Sequence, residues 1–384
     1  MTDLTTVTIE RVAHGGHGIA RIDGRVCFVP NTIPGDTVRI AIEEEKKGLL
    51  WGKLAEVVEP SPDRIALFPG EASSAACPWL HFAYPAQGEW KRRIVAESLQ
   101  RLGKIEAEIG WLEDESLRLG YRTRAQFHGD GESVGFYEPG THTISPVAGC
   151  PVFHPHLDAV AVALTELNLE GHTDVIVNPD EPKDVLIWRR SVNRRLRDRF
   201  PHAQSSLDKA DRSYFLFDGV PIVNGCFAQS SLLLNRLLVG KVHALLEGAA
   251  HVLDLYCGNG NLTLGLPKGT FVSGIDHSGP AVTAANRRGP KRYFKGGERN
   301  MEEAIRAGEF DAAVLDPPRE GAKVLMPALA ECKAERIVYV SCDPATLARD
   351  LRVLLDGDWK LAEVTAIDMF PHTPHIETVC LLQR

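Results

Sequence analysis

From residue 221 onward, short apolar runs alternate with stretches of helical periodicity. Strand and helix repeated in that order leave few solutions: the strands lie parallel in one sheet, with helices on its faces. The candidate strands are His251-Val-Leu-Asp-Leu255, Phe271-Val-Ser-Gly-Ile275, Ala312-Ala-Val-Leu315, Arg336-Ile-Val-Tyr-Val340, Leu361-Ala-Glu-Val-Thr365 and Thr378-Val-Cys-Leu-Leu382. An open sheet of this kind binds ligands beyond the carboxyl ends of its strands. The residues just after each strand are therefore where chemistry is to be read.

Val252-Leu-Asp-Leu-Tyr-Cys-Gly-Asn-Gly-Asn261 runs from a strand into a glycine-containing turn, with a helix expected from Leu262. Gly258 and Gly260 let backbone approach a ligand where side chains would clash. Asp276 ends the next strand, where a carboxylate can accept from both hydroxyls of a ribose. The third glycine of the dinucleotide pattern is missing and no pyrophosphate cradle is visible, which favours S-adenosylmethionine over NAD. On these residues alone, a tight turn in an α/β domain is the alternative.

Ala313-Val-Leu-Asp-Pro-Pro-Arg-Glu-Gly321 puts Asp316 at the next sheet edge, in a turn stiffened by two prolines. Val338-Tyr-Val-Ser-Cys-Asp-Pro344 repeats the layout with Cys342, ahead of a helix expected near Pro344. A thiol at a helix N-terminus has a lowered pKa and more thiolate, so a nucleophile is expected. The bland alternative is an inert, buried cysteine. Glu377 follows the loop Asp368-Met-Phe-Pro-His-Thr-Pro-His-Ile376 at the mouth of the sheet. It is a candidate general base, or else a strand-end charge facing water.

Residues 1–60 read as short strands: Thr6–Glu10, Gly18–Ile22, Arg25–Val29, Thr37–Ile42 and Trp51–Val58, with Asp23-Gly24 as a hairpin turn. Five short strands suggest a small OB-like barrel of oligonucleotide-binding type, or another small β-domain. Pro60, Pro62 and Pro69 mark a boundary. A helix is expected over Trp90–Leu102, stopping at Gly103, with Lys91-Arg92-Arg93 either touching phosphate or facing water. Residues 120–220 mix strands with one helix near 156–168. Arg189, Arg190, Arg194, Arg195, Arg197 and Arg199 form the densest basic stretch, equally an RNA track or an exposed loop. The organisation expected is a barrel over 1–60, a linker helix and central α+β domain over 61–220, and a Rossmann-like α/β domain over 221–384.

Composition sets limits on partners. Lys+Arg number 43 against 51 Asp+Glu, a net charge of −8, which excludes a uniformly basic nucleic-acid coat but not a local basic track. No run of eighteen apolar residues predicts a membrane span. The first residues lack the pattern of a secretion signal, and eight cysteines are too dilute for a disulfide scaffold. A cytoplasmic protein with reduced thiols is expected, with no membrane and no obligate protein partner.

Taken together, these residues resemble the RNA uracil-C5 methyltransferase family over most of the chain. Residues 1–60 look like its TRAM barrel; Cys77-Pro-Trp-Leu-His81, Gln87, Trp90 and Lys91 look like the segment that follows. Tyr121-Arg-Thr-Arg124, Gly135-Phe-Tyr137, Cys150-Pro151, Phe227-Ala-Gln229 and Leu255–Asn261 are similar to family signatures, as are Asp316-Pro-Pro-Arg319, Ser341-Cys-Asp343 and Phe370–Glu377. The resemblance implies a class I methyltransferase fold and S-adenosylmethionine as cofactor. It also implies a cofactor site lined by Gln229, Tyr256, Asn261, Asp276, Asn300 and Asp316. Cys342 matches the nucleophile and Glu377 the base. It implies an RNA substrate, ribosomal RNA in preference to the transfer-RNA T-loop.

One departure concerns metal. Many members hold an iron–sulfur cluster with four cysteines. Cys77 and Cys150 match two of them, but Ser74 stands where a third would be and no cysteine lies near Phe68. No cluster is expected, and the histidine pairs His154/His156 and His372/His375 lack partners spaced for another metal. Three other activities would leave different residues. An exocyclic-amine methyltransferase would carry an aromatic ring where Arg319 stands. A cytosine-C5 enzyme would carry a cysteine in the Asp316 turn. A non-catalytic RNA-binding factor would have no need of Cys342 or Glu377.

Overall fold

The computed structural model describes residues 4–66, 76–138, 140–208 and 211–384. Its C-terminal half is an eight-stranded sheet. Across it the order is Arg292–Lys295, Phe271–Asp276, His251–Leu255, Ala312–Leu315, Arg336–Ser341, Glu377–Gln383, Lys360–Ile367 and Ile109–Leu112. Only Glu377–Gln383 runs antiparallel to its neighbours. The central strands are buried throughout, as Ala312–Leu315 is at every position, which is why they read as unbroken apolar runs. The strand order reverses direction between His251–Leu255 and Ala312–Leu315, so the crevice for a ligand opens there.

Three local expectations are corrected. No helix begins at Leu262; residues 258–266 are a run of turns closed by bonds such as Thr263 N–H to Gly260 O, because Gly265 and Pro267 follow too soon for a helix to propagate. The upstream helix spans Tyr84–Ser98, six residues earlier than periodicity placed its start, and continues as one wider turn over Leu99–Gly103. Pro85 in its first turn explains the early start. Finally, Ile109–Leu112, grouped from sequence with the central region, pairs in parallel with Lys360–Ile367 and completes the C-terminal sheet.

The N-terminal region is a six-stranded sheet around a core of Val7, Ile9, Ala20, Cys27, Val29, Val38, Ile40 and Leu50. Asp23 and Gly24 both have positive φ, the conformation a two-residue hairpin turn demands, and they join Gly18–Ile22 to Arg25–Val29. The central region is a second six-stranded sheet running from Ile144–Pro146 to Ala203–Ser205. Phe127, Val175 and Ile187 on its inner face share a core with Leu157, Val160 and Leu164 of the helix Pro155–Glu166.

The N-terminal region meets the C-terminal one through the loop around Gly16. Gly16 has φ +90°, and a Cβ there would stand 2.8 Å from Pro374. His14 lies 4.0 Å from Asp343, beside Cys342. Glycine is thus required at position 16 on two counts, backbone conformation and close approach.

Candidate active site

Register explains how Cys342 and Glu377 meet. Ser341, the last residue of its strand, pairs with Thr378 of the antiparallel neighbour. The next step along both strands sets Cys342 opposite Glu377. Asp316 leaves the adjoining strand, whose Leu315 pairs with Tyr339, at the same sheet edge. Glu377 is 3% exposed and its Oε1 has no hydrogen-bond partner among the described residues, so the water-facing reading is overturned.

The electrostatics of this cluster differ from the sequence expectation for the thiol. Asp343 caps the helix Pro344–Leu355, its carboxylate accepting from Ala345 N–H and Thr346 N–H at 2.9 Å each. The amides that would have lowered the pKa of Cys342 are therefore occupied. Burial pushes the thiol up to about 11, Glu377 and Asp316 adding to the shift and Arg319 opposing it. Asp316 is raised to about 7 by burial. Glu377 is held well above the usual carboxylate range by burial first and by Asp316 second. Three acids share this partly buried site: at neutral pH Cys342 and Glu377 keep their protons, while Asp316 stands near its midpoint.

At the neighbouring strand ends the polar groups are satisfied instead. Tyr256 closes its strand with φ 61°, a costly conformation for a non-glycine residue, and its hydroxyl donates to Glu298 Oε1 at 2.9 Å. Gly258 follows with φ +53°, and nothing lies within 4 Å of where its Cβ would be. Its N–H donates to Asp276 Oδ2 at 3.0 Å, and Ser278 N–H to Asp276 Oδ1 at 2.7 Å. Asn261 exchanges two hydrogen bonds with Asn235, at 2.7 and 3.0 Å. Asn300 sits in the first turn of the helix Glu298–Ala307, accepting from Gly297 N–H. Gln229 is buried on the connection into the helix Asn235–Leu245. An open glycine turn beside an already ordered carboxylate fits a nucleoside cofactor.

The comparisons with known proteins bear on this geometry. Residues 4–55 match the TRAM domain, and residues 292–384 match the profile of tRNA (uracil-5-)-methyltransferases. The chain is 30% identical to a 23S rRNA (uracil(1939)-C(5))-methyltransferase, RlmD, of Methylococcus capsulatus, over 98% of its length and 96% of the relative's. It is 30% identical to an uncharacterized RNA methyltransferase of Halalkalibacterium halodurans, over 99% and 97%. It belongs to the RNA uracil-C5 methyltransferase family. A solved structure, the Pyrococcus abyssi tRNA (uracil-54, C5)-methyltransferase in complex with S-adenosyl-L-homocysteine, aligns with a TM-score of 0.77 and 25% identity, covering 98% of this chain and all of that one. The protein is thus an RNA uracil-5-methyltransferase that uses S-adenosylmethionine, with a TRAM domain ahead of its methyltransferase fold.

The structure also brings forward residues of this enzyme that sequence reasoning missed. Asp254 is buried beneath the glycine turn, takes a 2.5 Å hydrogen bond from Thr263 Oγ1, and is raised to about 8 by burial. Asn235 pins Asn261 but carries no motif of its own. Lys91 is buried, neither touching phosphate nor facing water, whereas Arg92 and Arg93 beside it are exposed. Of the six arginines in 189–199, all but Arg189 are exposed. Cys77 and Cys150 are both buried, their side chains within hydrogen-bond reach, while Ser74 and Phe68 lie outside the described residues. No helix among the described residues is long and apolar enough to cross a membrane.

Proposed function

We propose that this enzyme methylates C5 of a uridine in 23S ribosomal RNA through a covalent adduct between Cys342 and C6 of the base. The observation that carries the chemistry is the pairing of Ser341 with Thr378, which sets the thiol and an orphaned carboxylate side by side at the mouth of the sheet. Uracil C5 is too poor a nucleophile to take a methyl group unaided. Attack of the Cys342 sulfur on C6 moves electron density to C5 as an enolate, splitting one hard step into easier ones. The thiol's proton must leave first, and Asp316, raised to about 7, is the acceptor close by at neutral pH. Bound S-adenosylmethionine supplies the methyl group on its sulfonium, and Gln229, Tyr256, Asn261, Asp276, Asn300 and Asp316 would hold it. Glu377, once its own proton has passed to solvent, takes the proton from C5; the C6–sulfur bond breaks, and Cys342 leaves as a thiolate that recovers its proton from Asp316.

Cys342 and Glu377 stand at the sheet edge, so the uridine must leave its stack to reach them, which favours loops and single strands. Ribosomal RNA is preferred because relatives covered almost end to end are named for 23S rRNA. Transfer RNA is the second reading, favoured by the name of the aligned archaeal structure. The test is to incubate the enzyme with labelled S-adenosylmethionine and ribosomal or transfer RNA from cells lacking its gene, then identify the labelled nucleoside by mass. 5-Methyluridine in ribosomal RNA is expected. Label only in transfer RNA keeps the mechanism and overturns the substrate. Label on cytosine or an exocyclic nitrogen refutes the Cys342–Glu377 pairing of roles, and no label in either pool overturns the catalytic reading.

A further inference from the structure

The loop that leads into Glu377 is held by a helix almost three hundred residues upstream. Lys91, in Tyr84–Ser98, is fully buried. Its Nζ donates to Asp368 Oδ1 at 2.6 Å and to Phe370 O at 3.0 Å. Tyr84 OH donates to the other oxygen of Asp368 at 2.7 Å. One turn along, Gln87 is also fully buried; its Oε1 accepts from His372 N–H at 3.0 Å, and its Nε2 donates to Trp79 O and Phe82 O. Tyr121 OH donates to Pro371 O at 2.9 Å, and Trp79 N–H to His372 O at 2.9 Å. Every residue from Asp368 to His372 except Met369 is thus gripped through a backbone or side-chain polar atom.

An ammonium fully removed from water is costly unless paired and hydrogen-bonded. Burial alone pushes Lys91 down; Asp368 and, less directly, Glu113 hold its charge. A helix packing on a sheet edge needs no such group, since leucine or methionine would fill the space at less cost. What Lys91 adds is direction: a fixed point on both Asp368 and Phe370, at the entry of a loop whose other end is Glu377. Glu377 itself has an unpartnered Oε1, so no hydrogen bond to that oxygen holds the carboxylate. Its aim is set by the path of the loop and the strand that follows.

We propose that Lys91 is a positioning residue for proton removal, fixing the loop so that Glu377 reaches C5 of the substrate while Lys91 touches neither RNA nor cofactor. The inference rests on the roles proposed above for Cys342 and Glu377. A purely structural ion pair would lower all activities together. A positioning residue for this one step leaves the earlier steps intact, so the methylated adduct forms and then fails to resolve.

The experiment uses the full chain, S-adenosylmethionine and whichever RNA pool the native enzyme labels. Lys91→Met, Asp368→Asn and Glu377→Gln are compared for cofactor binding, turnover and enzyme–RNA complex that survives denaturation. For Lys91→Met the expectation is turnover down about tenfold or more, cofactor binding within about threefold, and accumulation of the complex as in Glu377→Gln. Asp368→Asn keeps the shape while weakening the grip, and is expected to show the same pattern more mildly; it carries the test if Lys91→Met loses cofactor binding through misfolding. Complex accumulating in Glu377→Gln but in neither loop variant overturns the positioning role. No complex in Glu377→Gln overturns the underlying assignment of Glu377 instead.

Discussion

The two halves of the active-site edge are built on opposite principles. At the half proposed to hold the cofactor, the Asp276 carboxylate is already engaged, accepting two backbone N–H groups, and Asn261 is locked to Asn235. At the thiol half, Glu377 keeps an oxygen without a partner, and Asp316, Cys342 and Glu377 all hold their protons more tightly than in water. A satisfied polar site binds the same ligand repeatedly with little rearrangement. An unsatisfied one is poised for a substrate that brings the missing partners and for proton movement. Substitutions should therefore damage the first half as binding and the second half as chemistry.

The largest effect belongs to Cys342. Cys342→Ala removes the atom proposed to bond C6, and turnover should fall at least about ten-thousandfold, with cofactor affinity unchanged in a calorimetric titration. Retained turnover would mean that C5 is activated without a thiol. Glu377→Gln comes next, with turnover lowered about a hundred- to a thousandfold and adduct persisting on a denaturing gel. Unchanged turnover there would transfer the base's role to another group and break the contrast between the halves.

A pH profile sharpens it further. Adduct formation, followed in a single turnover, should rise from pH 5 and level off above about 7, where Asp316 becomes able to accept the thiol's proton. The same shift has a definite sign for stability. The folded state holds the Asp316 proton to about pH 7, whereas the unfolded chain releases it near 4. The stabilisation is complete below about pH 4 and is lost as pH rises through 7. Asp316→Asn should thus raise Tm more at pH 8 than at pH 5, even as it slows the reaction.

What the sequence revealed, and what it hid, follows the same division. Asp276, Asp316, Cys342 and Glu377 sit at strand ends, and strand ends can be located from apolar runs and β–α alternation alone. The raised pKa of Cys342 could not be read there, because it depends on burial in the fold and on two carboxyl groups from other strands. Lys91 was hidden by its neighbours: in a run with Arg92 and Arg93 it reads as a basic surface, and only the fold shows that its side chain points at Asp368. Ile109–Leu112 was hidden for a similar reason, since its partner strand lies some 250 residues downstream. Local patterns disclose which residues stand at an edge, while contacts far apart in the chain decide their charge and aim.

On the cofactor half, Asp276→Ala leaves Gly258 N–H and Ser278 N–H without their acceptor and opens the glycine turn. S-Adenosylmethionine should bind about ten- to a hundredfold more weakly, while turnover at saturating cofactor falls only severalfold. A collapse of turnover with binding intact would place Asp276 in the chemistry and erase the distinction.

The smallest effect expected is also the most specific. Asn235 lies in a helix, on none of the sequence signatures, and among the described residues its side chain hydrogen-bonds to Asn261 alone. In Asn235→Ala the side chain of Asn261 loses both bonds and is free to turn. A typical hydrogen bond contributes about 1 kcal/mol net, so losing this pair should weaken cofactor binding by no more than about thirtyfold. Replacing Asn235 with Asp retains an acceptor for Asn261 Nδ2 and should restore part of the loss. Rescue by Asp but not by Leu would show that the orientation of Asn261, rather than the packing of the helix, is what the pair contributes. Equal losses in both would make the contact a matter of packing and remove Asn261 from the pre-ordered half of the site.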